Sequence, residues 1–126
     1  MRWKALVTVL AIALWPLSST ALTRDDFLVH TTQDYIKLCT ASERDPLYQA
    51  AIGFCHGYAV GAYQYHRSMT SEAEQTSFMC LPQPPPTRAE ALQMFVTWAK
   101  ENPQYMQERP VDTLFRFLEN KFPCRR

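Results

Sequence analysis

The chain has 126 residues, 13 of them basic and 12 acidic, for a formal net charge of +1. A balance this even argues against a nucleic-acid binder, which carries a basic face, and the length suits one small domain. Arg125 and Arg126 add only two charges at the end and read as a solvated tail.

The N-terminus reads as a secretory signal peptide over residues 1–21. Arg2 and Lys4 form a positive n-region, Ala5 to Leu14 is a short apolar run, and Ser19-Thr20-Ala21 places small residues at the usual cleavage positions. The run is shorter than the about 20 apolar residues a bilayer requires, so an uncleaved anchor is the weaker reading. No cysteine follows it closely, which argues against a lipoprotein. Cleavage after Ala21 removes two positive charges, takes the net charge from +1 to −1 and leaves one domain, 22–126, with no membrane segment.

Helix signals then recur, and strand-like alternation is nearly absent. Asp25-Asp26 reads as a solvated lead-in. Thr31 or Thr32 caps a short first helix, QDYIKLC, with Ile36 and Cys39 three apart. Asp45-Pro46 pairs a capping residue with proline at a first helical position and opens a long helix to about Arg67. All three glycines lie in it, Gly53, Gly57 and Gly61, four residues apart. On a helix they share one face. Each costs about 0.5–1 kcal/mol relative to alanine, so three in register suggest a groove that admits another backbone or an aromatic ring.

Met69 to Pro86 is a long irregular segment, polar first, then apolar, then proline-rich. Pro84 to Pro86 favour a stiff extended connector, and a long loop in a compact domain is usually functional or mobile. Thr87 with Glu90 makes a capping box for a helix to about Glu101, with Leu92, Phe95, Val96 and Ala99 as its apolar face. Asn102-Pro103 starts a short turn. Pro110 opens the last helix, where Val111, Leu114, Phe115, Leu118 and Phe122 form a core stripe that Pro123 ends before Cys124. The fold class expected is all-α, a small disulfide-bonded bundle of four to five helices.

Four cysteines, Cys39, Cys55, Cys80 and Cys124, behind a signal peptide read as two disulfides. Three pairings are possible and the sequence does not choose among them. Helices running up and down favour Cys39–Cys55 and Cys80–Cys124, although Cys55 sits two to three turns inside its helix. Zinc held with His30, His56 or His66 is the alternative, and no metal-ligand spacing supports it.

No catalytic or metal motif and no cofactor signature stands out. Cys55 and His56 point about 100° apart on a helix and do not pair. His66 with Tyr63 and Tyr65 is either a contact surface or a helix face with a wet edge. Trp98, Tyr105 and Phe117 lie off the main stripes, where aromatics either anchor an interface or wrap the bundle. Glu72 and Glu74 read as solvated loop charges that could also aim at a basic cleft on another protein.

Taken together, FCHGYAVGAY (54–63, containing Gly57, Tyr58 and Gly61), FMCLPQ (78–83), TRAEALQMFVTWAKENPQYM (87–106) and NKFPC (120–124) resemble the Rap1a/Tai family in order and spacing. The resemblance runs from about Tyr35 to Cys124. Gln64 stands where that pattern is often acidic, and the Pro84–Pro86 run is longer than its usual loop. The resemblance implies an all-helical periplasmic protein, a homodimer, whose understood relatives are immunity proteins. Those bind and block peptidoglycan amidase effectors delivered by type VI secretion. The expected mechanism is steric occlusion of the effector's cleft, with Glu72, Glu74, Phe78 and Met79 as contacts and Gly53, Gly57, Tyr58 and Gly61 as a helix-packing motif. The alternative is a periplasmic chaperone or envelope-stress helper, or an orphan structural module on the same scaffold.

Overall fold

A computed structural model describes residues 20–70 and 79–124. Four α-helices make up the body: α1 (Thr32–Cys39), α2 (Tyr48–Thr70), α3 (Arg88–Glu101) and α4 (Pro110–Lys121), with 3-10 turns at Arg24–Phe27 and Pro103–Tyr105. Each helix touches the other three. The fold is therefore an all-α bundle, and its strand-like pairing among the described residues is an isolated antiparallel bridge between Met79 and Pro123.

Local chemistry explains most helix boundaries. The Thr31 hydroxyl accepts the Asp34 N–H at 3.2 Å while the Asp34 carboxylate accepts the Thr31 N–H at 2.9 Å. Thr87 and Glu90 repeat this reciprocal box at 3.2 and 2.7 Å. In α4, Pro110 stands in the first turn, where its missing N–H costs nothing.

Two boundaries differ from expectation. α2 begins at Tyr48, not at Asp45-Pro46. The Asp45 carboxylate is spent on a turn: it accepts the Leu47 N–H at 2.8 Å and the Leu22 N–H at 2.7 Å. At its other end α2 runs to Thr70, past Arg67. Asn102-Pro103 does start a short turn, but the Asn102 side chain does not cap it. Its amide instead donates to the Trp98 carbonyl at 2.8 Å and closes the end of α3. Ahead of the proline run, the Gln83-Pro84 peptide bond is cis.

Tyr35, Phe95 and Phe117 form the aromatic centre of the core, each almost fully buried. Their rings meet in sequence, Tyr35 tilted against Phe95 at 5.8 Å and Phe95 edge-on to Phe117 at 5.6 Å. Phe117 is 1% exposed, which settles its role as core. Trp98 stacks on Tyr105 at 5.7 Å and packs against Phe117 at 5.9 Å. These three aromatics therefore wrap the bundle and do not stand out as interface anchors. The buried stripe of α4 consists of Thr113, Leu114, Phe117 and Leu118, turned from the expected one because the Thr113 hydroxyl has a buried partner in Thr32 at 2.7 Å.

Two disulfides close the fold. Cys39–Cys55 pins the end of α1 to the first half of α2, and Cys80–Cys124 ties the segment before α3 to the segment after α4. Both join ends that the bundle brings together, with Cα–Cα separations of 5.3 and 4.8 Å.

Candidate functional site

α2 is the longest helix and is amphipathic in an uncommon way. Ala51 and Cys55 face the core, whereas Gly53, Gly57 and Gly61 are exposed along the opposite side. Nothing lies within 4 Å of where a Cβ would sit on any of the three. The glycines therefore make no close packing with the described chain. They form a smooth floor about two helical turns from end to end, open to solvent.

Tyr58, between two of these glycines, turns inward. Its ring lies 4.9 Å from Tyr35 and 6.1 Å from Phe54. Burial pushes its phenol above the ordinary value, opposed by a hydrogen bond from the Val111 backbone in the first turn of α4. That N–H is one of the donors a helix start leaves without an internal partner. So Tyr58 fixes α2 against both α1 and α4 and thereby sets which side of α2 the glycines present.

The C-terminal end of the same helix exposes two large apolar side chains among polar ones: Tyr65 is 70% and Met69 68% accessible. The aromatic grouping of Tyr63, Tyr65 and His66 is split by the fold. The His66 ring packs 5.2 Å from Phe115 of α4, Tyr63 packs against the core, and Tyr65 points out. Arg67 reaches the Tyr63 hydroxyl at 3.5 Å.

Beside this face lies a cavity of about 250 Å³ between α2, α3 and α4. Ala59, Leu92 and Leu118 contribute apolar lining, and His56, Gln64 and Arg88 contribute polar groups. Cys55 is bonded to Cys39 and faces the core, so no thiol stands beside His56. Among the described residues no cluster of His, Cys, Asp or Glu is arranged to hold a metal ion, and no helix is long and apolar enough to cross a membrane.

Of the expected contact residues, Glu72, Glu74 and Phe78 lie outside the described residues. Met79 is described, and it is corrected: it is 6% exposed and belongs to the core cluster, so its side chain is not offered to a partner. Its position follows from the neighbouring Cys80, whose N–H donates to the Phe122 carbonyl at 2.7 Å and whose sulfur is tied to Cys124. Tyr65 belongs to the aromatic grouping that the sequence offers as a contact surface; Met69, placed by sequence in the irregular segment, is not among its candidates. The signal for Met69 lay in the helix continuing beyond Arg67, which carries it onto the outer edge.

No match was found among curated proteins or among solved structures. A model of the family described as Rap1a immunity proteins matches residues 31–124, from the cap of α1 to the last cysteine. It spans all four helices, both disulfides and the glycine-bearing face, and on this evidence the chain belongs to the Rap1a immunity protein family.

Proposed function

We propose that this protein is a periplasmic immunity-type binding protein that blocks a peptidoglycan amidase effector of a type VI secretion system by covering its active-site cleft. The observation that carries the reading is the family match across the whole bundle. The geometry supports it in kind. A body pinned by two disulfides loses little conformational freedom on binding, and the last turns of α2, which lead into the segment that follows it, expose the side chains of Tyr65 and Met69. The adjacent cavity of about 250 Å³ is lined mainly by apolar side chains of α2, α3 and α4.

In this reading the protein acts as a homodimer, and the glycine floor of α2 is where the second copy approaches. Helices cross closely where a Cβ is missing, and Gly53, Gly57 and Gly61 supply three such places on one line. The segment that follows α2, with Glu72, Glu74 and Phe78, is the part offered to the effector. Export of the chain by its signal peptide places it where such effectors act.

Co-expression tests the reading. The peptidoglycan amidase encoded nearest to this chain is directed to the periplasm of a susceptible host. Rescue of growth by the full chain, and loss of rescue when residues 1–21 are deleted, is the expected result. Lysis that proceeds equally with and without the chain contradicts it.

A further inference from the structure

Thr20 and Ala21 are exposed, and Leu22 is where the chain becomes part of the domain. The Leu22 nitrogen lies 2.7 Å from a carboxylate oxygen of Asp45, a residue 23 positions away in the turn that leads into α2. The other oxygen of Asp45 accepts the Leu47 N–H. Directly after Leu22, Thr23 and Asp26 form a capping box, Asp26 pairs with Lys37 of α1, and the Phe27 ring meets Phe54 of α2 edge-on at 5.9 Å. The first of these contacts is thus made by the residue that follows the expected cleavage site.

The geometry points to a processed N-terminus that is itself part of the fold: cleavage between Ala21 and Leu22 frees an α-ammonium group that the Asp45 carboxylate holds at the entrance to α2. In the step, water adds across the Ala21–Leu22 peptide bond. Its hydroxyl goes to the Ala21 carbonyl carbon and its hydrogen to the Leu22 nitrogen, and the proton of the new carboxyl group passes to the amine. The nitrogen already beside Asp45 changes from a neutral single donor to a cation with three, and a charge-assisted hydrogen bond is stronger than a neutral one. The anion remains shared with the Leu47 N–H, so one carboxylate ties the new terminus to the start of the longest helix. Cleavage one or two residues to either side would put the charge elsewhere: retained residues keep Leu22 an amide, and loss of Leu22 removes the nitrogen altogether.

This inference rests on the export reading, and two measurements separate their failures. The full chain is expressed with its leader, and the periplasmic product is weighed intact. The expected mass is that of 22–126. Then protein made to begin at Leu22, with a free or an acetylated amino group, is unfolded in denaturant in the wild-type and Asp45→Asn backgrounds. Acetylation is expected to lower the folding equilibrium constant about three- to tenfold in the wild type and to change it little in Asp45→Asn. The wild-type difference should shrink as salt is raised, a screening response that a steric effect of the acetyl group would not show. That comparison stands alone where Asp45→Asn does not fold. A processed periplasmic product that begins at any residue other than Leu22 overturns the inference alone; full-length chain 1–126 with no processed periplasmic product overturns the export reading and the inference with it. A mass of 22–126 with no acetylation effect, with equal effects in both backgrounds, or with a salt-independent effect overturns the inference alone.

Discussion

Tyr35 joins three helices through one side chain. It lies in α1, its hydroxyl donates to the Cys55 carbonyl of α2 at 2.6 Å, and its ring meets Phe95 of α3. Removing only the hydroxyl in Tyr35→Phe should cost about 1 kcal/mol, because the Cys55 carbonyl keeps its own helical hydrogen bond. Denaturant unfolding measures this. Burial also pushes the Tyr35 phenol well above the ordinary tyrosine range, with the neighbouring Tyr58 adding to the shift. A pKa raised in the folded state means that the native protein holds its proton more tightly than the unfolded chain. This contribution is whole below about pH 10 and is lost as pH rises through the higher folded value. Thermal melting followed from pH 8 to 11 should therefore decline at the alkaline end, and less steeply in Tyr35→Phe. An identical slope in both would contradict the assignment.

In α2 the buried and the open sides are distinct: Ala51 and Cys55 face the core, and the three glycines are exposed. Because nothing stands within 4 Å of a Cβ at Gly57, Gly57→Ala should stabilise the monomer by about 0.5–1 kcal/mol through helix propensity. Gly57→Leu should keep the fold and weaken self-association, read by sedimentation velocity beside a melting curve. At the helix starts, Thr31→Ala should cost about 1 kcal/mol by opening the α1 box. The Asp34 carboxyl there is pushed up by burial, yet hydrogen bonds from Thr31 and the His30 N–H bring it below its ordinary value. A depressed folded pKa gives stability that is present above the unfolded pKa near 4 and is lost as pH falls through the folded value. Acid unfolding of Thr31→Ala should thus begin from a lower plateau and show a weaker pH dependence.

These elements also show what could be read without coordinates. The boxes Thr31–Asp34 and Thr87–Glu90, and Pro110 opening α4, were legible because capping is a contact between residues three apart. Asp45-Pro46 was misread as a helix start because the partner that claims Asp45 is Leu22, far away in sequence. The buried residues of α4, Pro110, Thr113, Leu114, Phe117 and Leu118, keep the helical period; Thr113 and Phe117 escaped because Val111, Phe115 and Phe122 offered a second apolar stripe and the threonine's buried partner, Thr32, is far away in sequence. At the candidate site, the glycine spacing marked one face of a helix. Whether that face points in or out depended on Tyr58 and Cys55 being turned inward by α1 and α4, which spacing alone does not state.

At the scale of the whole molecule, a small core is held by two covalent ties of unequal reach. The bridges span 16 residues in Cys39–Cys55 and 44 in Cys80–Cys124. Loop-closure entropy assigns about 3 kcal/mol to the first and about 4 kcal/mol to the second. Replacing Cys80 and Cys124 together by serine should therefore lower the denaturant midpoint more than replacing Cys39 and Cys55; the reverse order would show that packing around Cys55 outweighs chain entropy. Such a stapled bundle suits a protein that must present one rigid surface to one partner. The most direct test of that claim is to tag the chain 22–126, mix it with periplasmic and secreted extracts of bacteria with active type VI secretion, and identify what it retains. The account predicts one peptidoglycan amidase, recovered in fixed stoichiometry and inhibited by the added protein. Recovery of no specific hydrolase, or of an amidase that remains active in the complex, would contradict it.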